Sequence, residues 1–271
     1  MKLAITYLFV PGNRPERFDK ALDAGADAVI LDLEDAVSPA DKEAAREFTS
    51  RWLESRPHVL DRVLVRINDD STVWFAGDVE LLRRAGVRLV MLPKVESARQ
   101  IQELRAALAP PPLVIPLIET ARGVNNVDEI AGATGVQRLA FGTLDYAVDL
   151  QLYGDDRGLT YPATKMAIAS RCAGIATPVA GVTSAIDDDD ALRDDVAFIR
   201  AHGFGAKLCI HPRQVAVVRD AMLPTNSEVD WAKRVLAAAD AAGGSVVQVD
   251  GRMVDRPVLL KAQTILDRTA Q

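Results

Sequence analysis

The stretch LVIPLIETARGVNNVDEIAGATGVQRLAFGTLD, residues 113–145, decides how this chain is read. It opens on a nearly continuous apolar run, 113–118, that ends at Glu119. A helix-competent segment follows, then a second short apolar run, 138–141, with Asp145 just beyond it. Apolar runs of this length, each closed by a polar residue and followed by a helical pattern, are the mark of parallel strands buried on both faces in βα units.

The same rhythm extends to both sides. Strands are expected at residues 3–10, 28–33, 62–67, 88–92, 178–182 and 206–210. Helices are expected at 39–56, where Ser38 can cap and Pro39 takes the first helical position, and at 97–108, stopped by Pro110, Pro111 and Pro112. Two further helices are expected at 161–176 and 187–202. Eight such strands predict an α/β fold, a (β/α)8 TIM barrel, with an open doubly wound sheet as the alternative. The 271 residues match the ~250 typical of the barrel. The tail breaks the rhythm: a helix at 229–242, Gly243-Gly244, a hairpin at 245–254 and a last helix at 258–269. The expected organisation is a catalytic barrel over 1–222 and a C-terminal lid or extension over 223–271.

Composition narrows the function classes. Hydrophobic residues make up 49% and charged residues 26%, as in a globular domain, and the net charge is -6. An acidic chain does not advertise nucleic-acid or anionic-membrane binding. No apolar run reaches the ~20 residues of a membrane span. The N-terminal stretch reads as a first strand and not as a signal peptide. Cys172 and Cys209 sit in apolar surroundings and read as two buried thiols in a reducing, cytoplasmic setting.

In a parallel barrel the chemistry lies where strands end. The polar residues at those positions are Asp32, Glu34, Asp35, Arg66, Asn68, Lys94, Glu96, Glu119, Asp145 and His211. Glu119 and Asp145 end neighbouring strands and fit one Mg2+ or Mn2+ ion, which takes a few carboxylates and completes its shell with water and substrate oxygens. Helix N-capping is the competing reading of both. Only three histidines are present, none in an H-x-x-x-H pair, which argues against zinc. Arg66 can clamp a substrate carboxylate or pair with Glu34 or Asp35. Arg14, Arg17 and Lys20 surround a helix start that could meet phosphates, although no phosphate-binding glycine motif accompanies them. His211, before Pro212, reads first as a structural hydrogen-bonder.

Taken together, LFVPGNRPERFDKA, LDLEDAV with PADKEAAR, VRIN, LPKVES, PLIET, FGTLDYAVDL, CIHPRQ and GRMVDRPV resemble the citrate lyase beta-subunit-like proteins of the HpcH/HpaI aldolase and citrate lyase superfamily. The resemblance runs from Val10 to about Ala262, with the motifs in family order. It implies a (β/α)8 barrel, a Mg2+ ion, a homotrimer, and reversible C–C cleavage of a 3-hydroxyacyl-CoA such as citryl-, malyl- or citramalyl-CoA. By position it implies Glu119 and Asp145 as metal ligands and Arg66 as the holder of the oxo-acid carboxylate. It also implies Glu34 as an acidic residue near the waters of the metal, and Asp255 as an aspartate lent by a neighbouring subunit's tail. Arg14 and Lys20 lie where relatives contact coenzyme A. The simpler aldolases carry a histidine beside the acidic residues after the second strand. LEDAV has none, which favours the CoA-ester branch. The alternatives are a thioester hydrolase or malate-synthase-like enzyme, and a subunit that works only inside a larger citrate lyase complex.

Overall fold

A computed structural model describes residues 3–153, 157–241 and 247–269. Eight parallel strands close into a barrel: β1 (Thr6–Pro11), β2 (Ala28–Asp32), β3 (Val63–Arg66), β4 (Leu89–Leu92), β5 (Leu113–Ile118), β6 (Arg138–Phe141), β7 (Ala176–Ala180) and β8 (Ala206–Cys209). Each strand pairs with the next, and β8 pairs back with β1. The expected TIM barrel is therefore the fold, and the open sheet is not.

The barrel core follows from the two-residue period of strands. Tyr7, Ala28, Ile30, Leu64, Met91, Ile115, Leu117, Ala140, Val179, Ala206 and Leu208 form one buried cluster drawn from all eight strands. Continuing each strand by one period brings the inward direction to Asp32, Arg66, Glu119 and Gly142. The side chains of the rim are thus extensions of the core columns.

Several boundaries differ from expectation for identifiable reasons. β1 starts at Thr6 and not at residue 3, because the Asp27 carboxylate accepts from the Ile5 and Thr6 N–H groups and the Thr6 hydroxyl. β7 lies two residues earlier than expected, its register against β6 shifting between Arg138 and Ala140. The helix expected at 161–176 spans Arg157–Cys172, with Pro162 inside it, and the chain turns at Gly174 in a left-handed conformation. Cys209 is buried as expected, but Cys172 is exposed, on the solvent-facing last turn of that helix. The helix expected at 97–108 is Ala98–Ala106, with Ser97 and Gln100 forming a capping box.

The chain divides into two compact units, Leu3–Arg219 and the segment from Asp220 onward. In the second, helices Asn226–Ala241 and Arg256–Thr269 pack with the antiparallel pair β9 (Val247–Val249) and β10 (Arg252–Val254). Its core is Ala232, Val235, Val254 and Ala262. Gly243, Gly244, Ser245 and Ala242, named in the expected helix break and hairpin, lie outside the described residues. Among the described residues no helix is long and apolar enough to cross a membrane.

One lysine fixes the loop after β2. Lys42, buried in the first turn of helix Lys42–Glu54, donates to the carbonyls of Leu33 and Glu34 and to Asn68 Oδ1, each at 2.7 Å. Its ammonium also lies 5.1 Å from the Trp74 ring centroid. Asn68 in turn donates its N–H and its side-chain amide to the buried Asp78. Lys42→Met keeps the aliphatic stem but removes the donor to the Leu33 carbonyl and Asn68 Oδ1, while the Glu34 carbonyl keeps only the Val37 N–H. We expect it to lower unfolding stability by about 3 kcal/mol or more, read from urea denaturation.

Candidate active site

The rim is organised by one ion pair. Asp32 and Arg66 are register partners at the last rung of β2 and β3. Arg66 Nε donates to Asp32 Oδ1 at 2.7 Å and Nη2 to Oδ2 at 2.6 Å, a bidentate fork between two buried groups. Asp32 also accepts the N–H groups of Glu34 and Ala36. Burial alone would push the Asp32 carboxyl up; Arg66 and these donors instead hold it below its ordinary range. The guanidinium lies 4.7 Å from the Phe9 ring centroid. Burial works against the Arg66 charge, but Asp32, Glu34 and Asp35 outweigh it and raise its pKa. The expected alternatives for Arg66, Glu34 or Asp35 as ion-pair partner, omitted the partner it grips hardest.

Glu34 is wedged behind this pair. Its Oε2 lies 2.9 Å from Arg66 Nη1, out of line for a hydrogen bond, and is buried without a hydrogen-bond partner. Its Oε1 accepts from Lys94 Nζ at 2.6 Å. Burial pushes the Glu34 carboxyl up, and the charges of Arg66 and Lys94 offset this only in part. Lys94 holds a left-handed backbone, φ 50°, which costs a non-glycine residue of order 1–3 kcal/mol. In that conformation its N–H donates to Glu119 Oε1 at 2.7 Å. In LPKVES Lys94 is recognisable only as a polar residue after β4; its double contact arises from the fold.

Glu119, 2% exposed, stands at the end of β5. Burial, then the neighbouring Glu34 and Asp145 carboxylates, push its pKa up to about 8. Asp145 is exposed, in the first turn of helix Thr143–Asp149. Both line a cavity of about 330 Å³, together with Asp32, Arg66, Phe9 and Gly142. Glu34 is not in that lining. A buried carboxylate beside another, with a guanidinium across the same cavity, is a site short of positive charge and rich in hard oxygen donors. A divalent cation of the Mg2+ or Mn2+ type suits it, because such ions use one or two carboxylates and take remaining ligands from water and substrate. Among the described residues no group of three or more His, Cys, Asp or Glu side chains could hold a metal. Glu119 and Asp145 together fit an oxygen-ligated ion and not a closed structural site. The capping alternative for Asp145 gains no hydrogen bond: its helix has no side-chain cap.

Arg14, Lys20 and His211 are not among the residues that line this cavity. Arg14 is exposed and paired with Glu16 at 2.7 Å, and Lys20 is exposed on helix Phe18–Asp23. Neither lines the cavity. His211 accepts from the Arg213 N–H, a local turn contact. Asp255, in the C-terminal unit, accepts from the Val258 N–H at 3.3 Å and so caps helix Arg256–Thr269.

The family model described as HpcH/HpaI aldolase/citrate lyase matches residues 6–212. The chain belongs to this family. Within the HpcH/HpaI aldolase/citrate lyase family, it is 34% identical to citrate lyase subunit beta of Leuconostoc mesenteroides subsp. cremoris, over 98% of this chain and 93% of that protein. It is 33% identical to a (3S)-malyl-CoA thioesterase of Cereibacter sphaeroides, over 95% of this chain and 94% of that one. A crystal structure of CitE from Mycobacterium tuberculosis, in complex with magnesium, acetoacetate and coenzyme A, superposes with a TM-score of 0.89. It is 38% identical and covers 98% of both chains. The resemblance to citrate lyase beta-subunit-like proteins thus extends over nearly the whole molecule, and the chain is an enzyme of this lyase family.

Gly142 sets how closely β6 approaches Glu119. A Cβ there would lie 2.5 Å from both Glu119 Cβ and Oε2. Because β6 and β5 are hydrogen-bonded neighbours, neither can retreat freely. We expect Gly142→Ala to displace the Glu119 carboxylate and to weaken Mn2+ binding at least ~10-fold, measured by electron paramagnetic resonance of free Mn2+.

Proposed function

We propose that this enzyme is a Mg2+-dependent lyase, with Mn2+ as a substitute, that reversibly cleaves a 3-hydroxyacyl-CoA into an oxo acid and acetyl-CoA. The observation that carries this reading is the shared cavity. Arg66, locked by Asp32, faces two carboxylates that fit an oxygen-ligated cation. Magnesium, coenzyme A and a small oxo acid occur together in a 38% identical relative, which supports it.

Glu119 and Asp145 would hold the ion, which supplies Lewis-acid stabilisation of the hydroxyl and carboxylate oxygens of the substrate. Arg66 binds the carboxylate of the oxo-acid half. Asp32 takes Nε and Nη2 of its guanidinium and Glu34 Oε2 lies 2.9 Å from Nη1, so the substrate carboxylate meets the remaining N–H groups of Nη1 and Nη2. Glu34 contributes from behind Arg66 and not from the cavity wall. In the cleavage direction the 3-hydroxyl gives its proton to solvent at the cavity mouth and becomes the oxo-acid carbonyl as the C2–C3 bond breaks. The electron pair passes to the acetyl-CoA enolate, and Asp255 delivers a proton to the acetyl carbon. We assign that Asp255 to the C-terminal segment of a neighbouring subunit in a homotrimer, where residues 223–271 serve as a lid that excludes water. Arg14 and Lys20 offer positive charge to the coenzyme A phosphates. The free cysteines suit a reducing cytoplasm.

A second reading, thioester hydrolysis, is favoured by the (3S)-malyl-CoA thioesterase relative. A third, a subunit working only in a complex, is favoured by citrate lyase subunit beta. The purified chain, offered citryl-, malyl- and citramalyl-CoA, separates the three. Oxo acid with acetyl-CoA marks the lyase, free CoA with hydroxy acid marks the hydrolase, and no turnover marks the dependent subunit.

Two substitutions test the roles. Arg66→Lys, which keeps the charge but loses the planar fork, should lower kcat/KM at least ~100-fold with the fold intact by circular dichroism. Near-normal turnover would reduce Arg66 to a structural ion pair. Asp255→Ala and Glu119→Ala should each be nearly inactive, and mixtures with verified subunit exchange should regain part of the activity. An active but less heat-stable Asp255→Ala would instead assign the residue to capping alone.

A further inference from the structure

Among the described residues Lys94 alone hydrogen-bonds both Glu119 and Glu34, and it reaches them with different parts of itself. Its main-chain N–H donates to Glu119 Oε1, and its ammonium donates to Glu34 Oε1. Both bonds are short, 2.7 and 2.6 Å, and both acceptors are buried carboxylates, 2% and 4% exposed. The N–H bond coincides with a left-handed backbone, φ 50°, at a residue whose side chain has no local reason to prefer it. Glycine would take that conformation without strain. A lysine there indicates a use for the ammonium. Lys94 is not among the residues that line the cavity with Arg66, Glu119 and Asp145, which accords with a positioning role.

We propose that Lys94 is a dual positioning residue: its left-handed N–H fixes the Glu119 metal carboxylate, while its ammonium pins Glu34 behind Arg66 and so sets the carboxylate-binding face of the guanidinium. The inference rests on the reading of Glu119 as a metal ligand and Arg66 as the oxo-acid clamp. One backbone conformation thereby ties the metal side of the cavity to the substrate side. The loss of one function need not carry the loss of the other.

The test separates backbone from side chain. Lys94→Gly and Lys94→Asn tolerate φ > 0 and keep the N–H bond but lose the ammonium. Lys94→Val disfavours the left-handed conformation as well, because it is β-branched. Lys94→Arg keeps a cation. Mn2+ affinity is measured on the protein alone by electron paramagnetic resonance. Pyruvate affinity is measured on the Mg2+-loaded protein by calorimetry. Lys94→Gly and Lys94→Asn should bind Mn2+ within ~3-fold of the parent and bind pyruvate at least ~10-fold more weakly. Lys94→Val should lose at least ~10-fold in both. Lys94→Arg should recover much of the pyruvate affinity lost in Lys94→Asn. Equal Mn2+ affinity in Lys94→Val and Lys94→Gly overturns the backbone half, and parental pyruvate affinity in Lys94→Gly overturns the ammonium half. If Lys94→Val does not fold, a loss of Mn2+ affinity in Lys94→Gly equal to its loss of pyruvate affinity overturns the division of labour. Glu119→Gln is the control: if it binds Mn2+ as the parent does, the metal reading itself fails, and the Lys94 proposal falls with it.

Discussion

Asp32 and Arg66 face each other at the end of two adjacent strands, and much of the rim is arranged around keeping that pair charged and buried. A buried ion pair recovers its desolvation cost only when its remaining donors and acceptors are also satisfied. Here the Asp32 carboxylate receives four N–H groups, two from the guanidinium and two from the Glu34 and Ala36 backbone. The last two bonds define the turn of the chain after β2. Lys42 closes the same turn from the other side through the Leu33 and Glu34 carbonyls. The loop that carries Glu34 is therefore shaped by the groups that keep Arg66 in place.

The neighbouring carboxylates have less support. Among the described residues Glu119 accepts from one donor, the Lys94 N–H, and lies within the field of Glu34 and Asp145. Glu34 has one fully formed bond and an unsatisfied buried oxygen. The contrast between a carboxylate held low, Asp32, and two pushed high, Glu34 and Glu119, divides the rim by role. The first is structural support for a cation. The others are groups whose charge is incompletely compensated by protein, as expected where a ligand completes the site.

The sequence made the barrel legible because each strand is a short apolar run and each polar interruption falls at a strand end. Glu119 and Asp145 were readable for that reason, and the resemblance supplied their roles. Asp32 was visible in the same run, but its pairing with Arg66 follows from register, and a shift of one residue between β2 and β3 would have exchanged its partner. Lys42 sits in the polar helix start PADKEAAR, where nothing sets it apart; only packing brings its ammonium under three acceptors. Lys94 was harder still, because a positive φ at a lysine leaves no trace in composition. Cys172 shows the opposite failure: apolar neighbours in sequence did not bury it, because a helix presents consecutive residues to different faces.

The core columns of β2, β3 and β5 run without interruption into Asp32, Arg66 and Glu119. A single-residue insertion or deletion inside any of these strands would turn its terminal side chain outward into the helical layer. Insertions and deletions should accordingly be tolerated at the opposite, N-terminal end of each strand and in the loops beyond the rim side chains. A chimera that exchanges βα units with a relative should place its junctions before residues 28, 63 and 113, so that every grafted strand arrives with its own rim residue in phase.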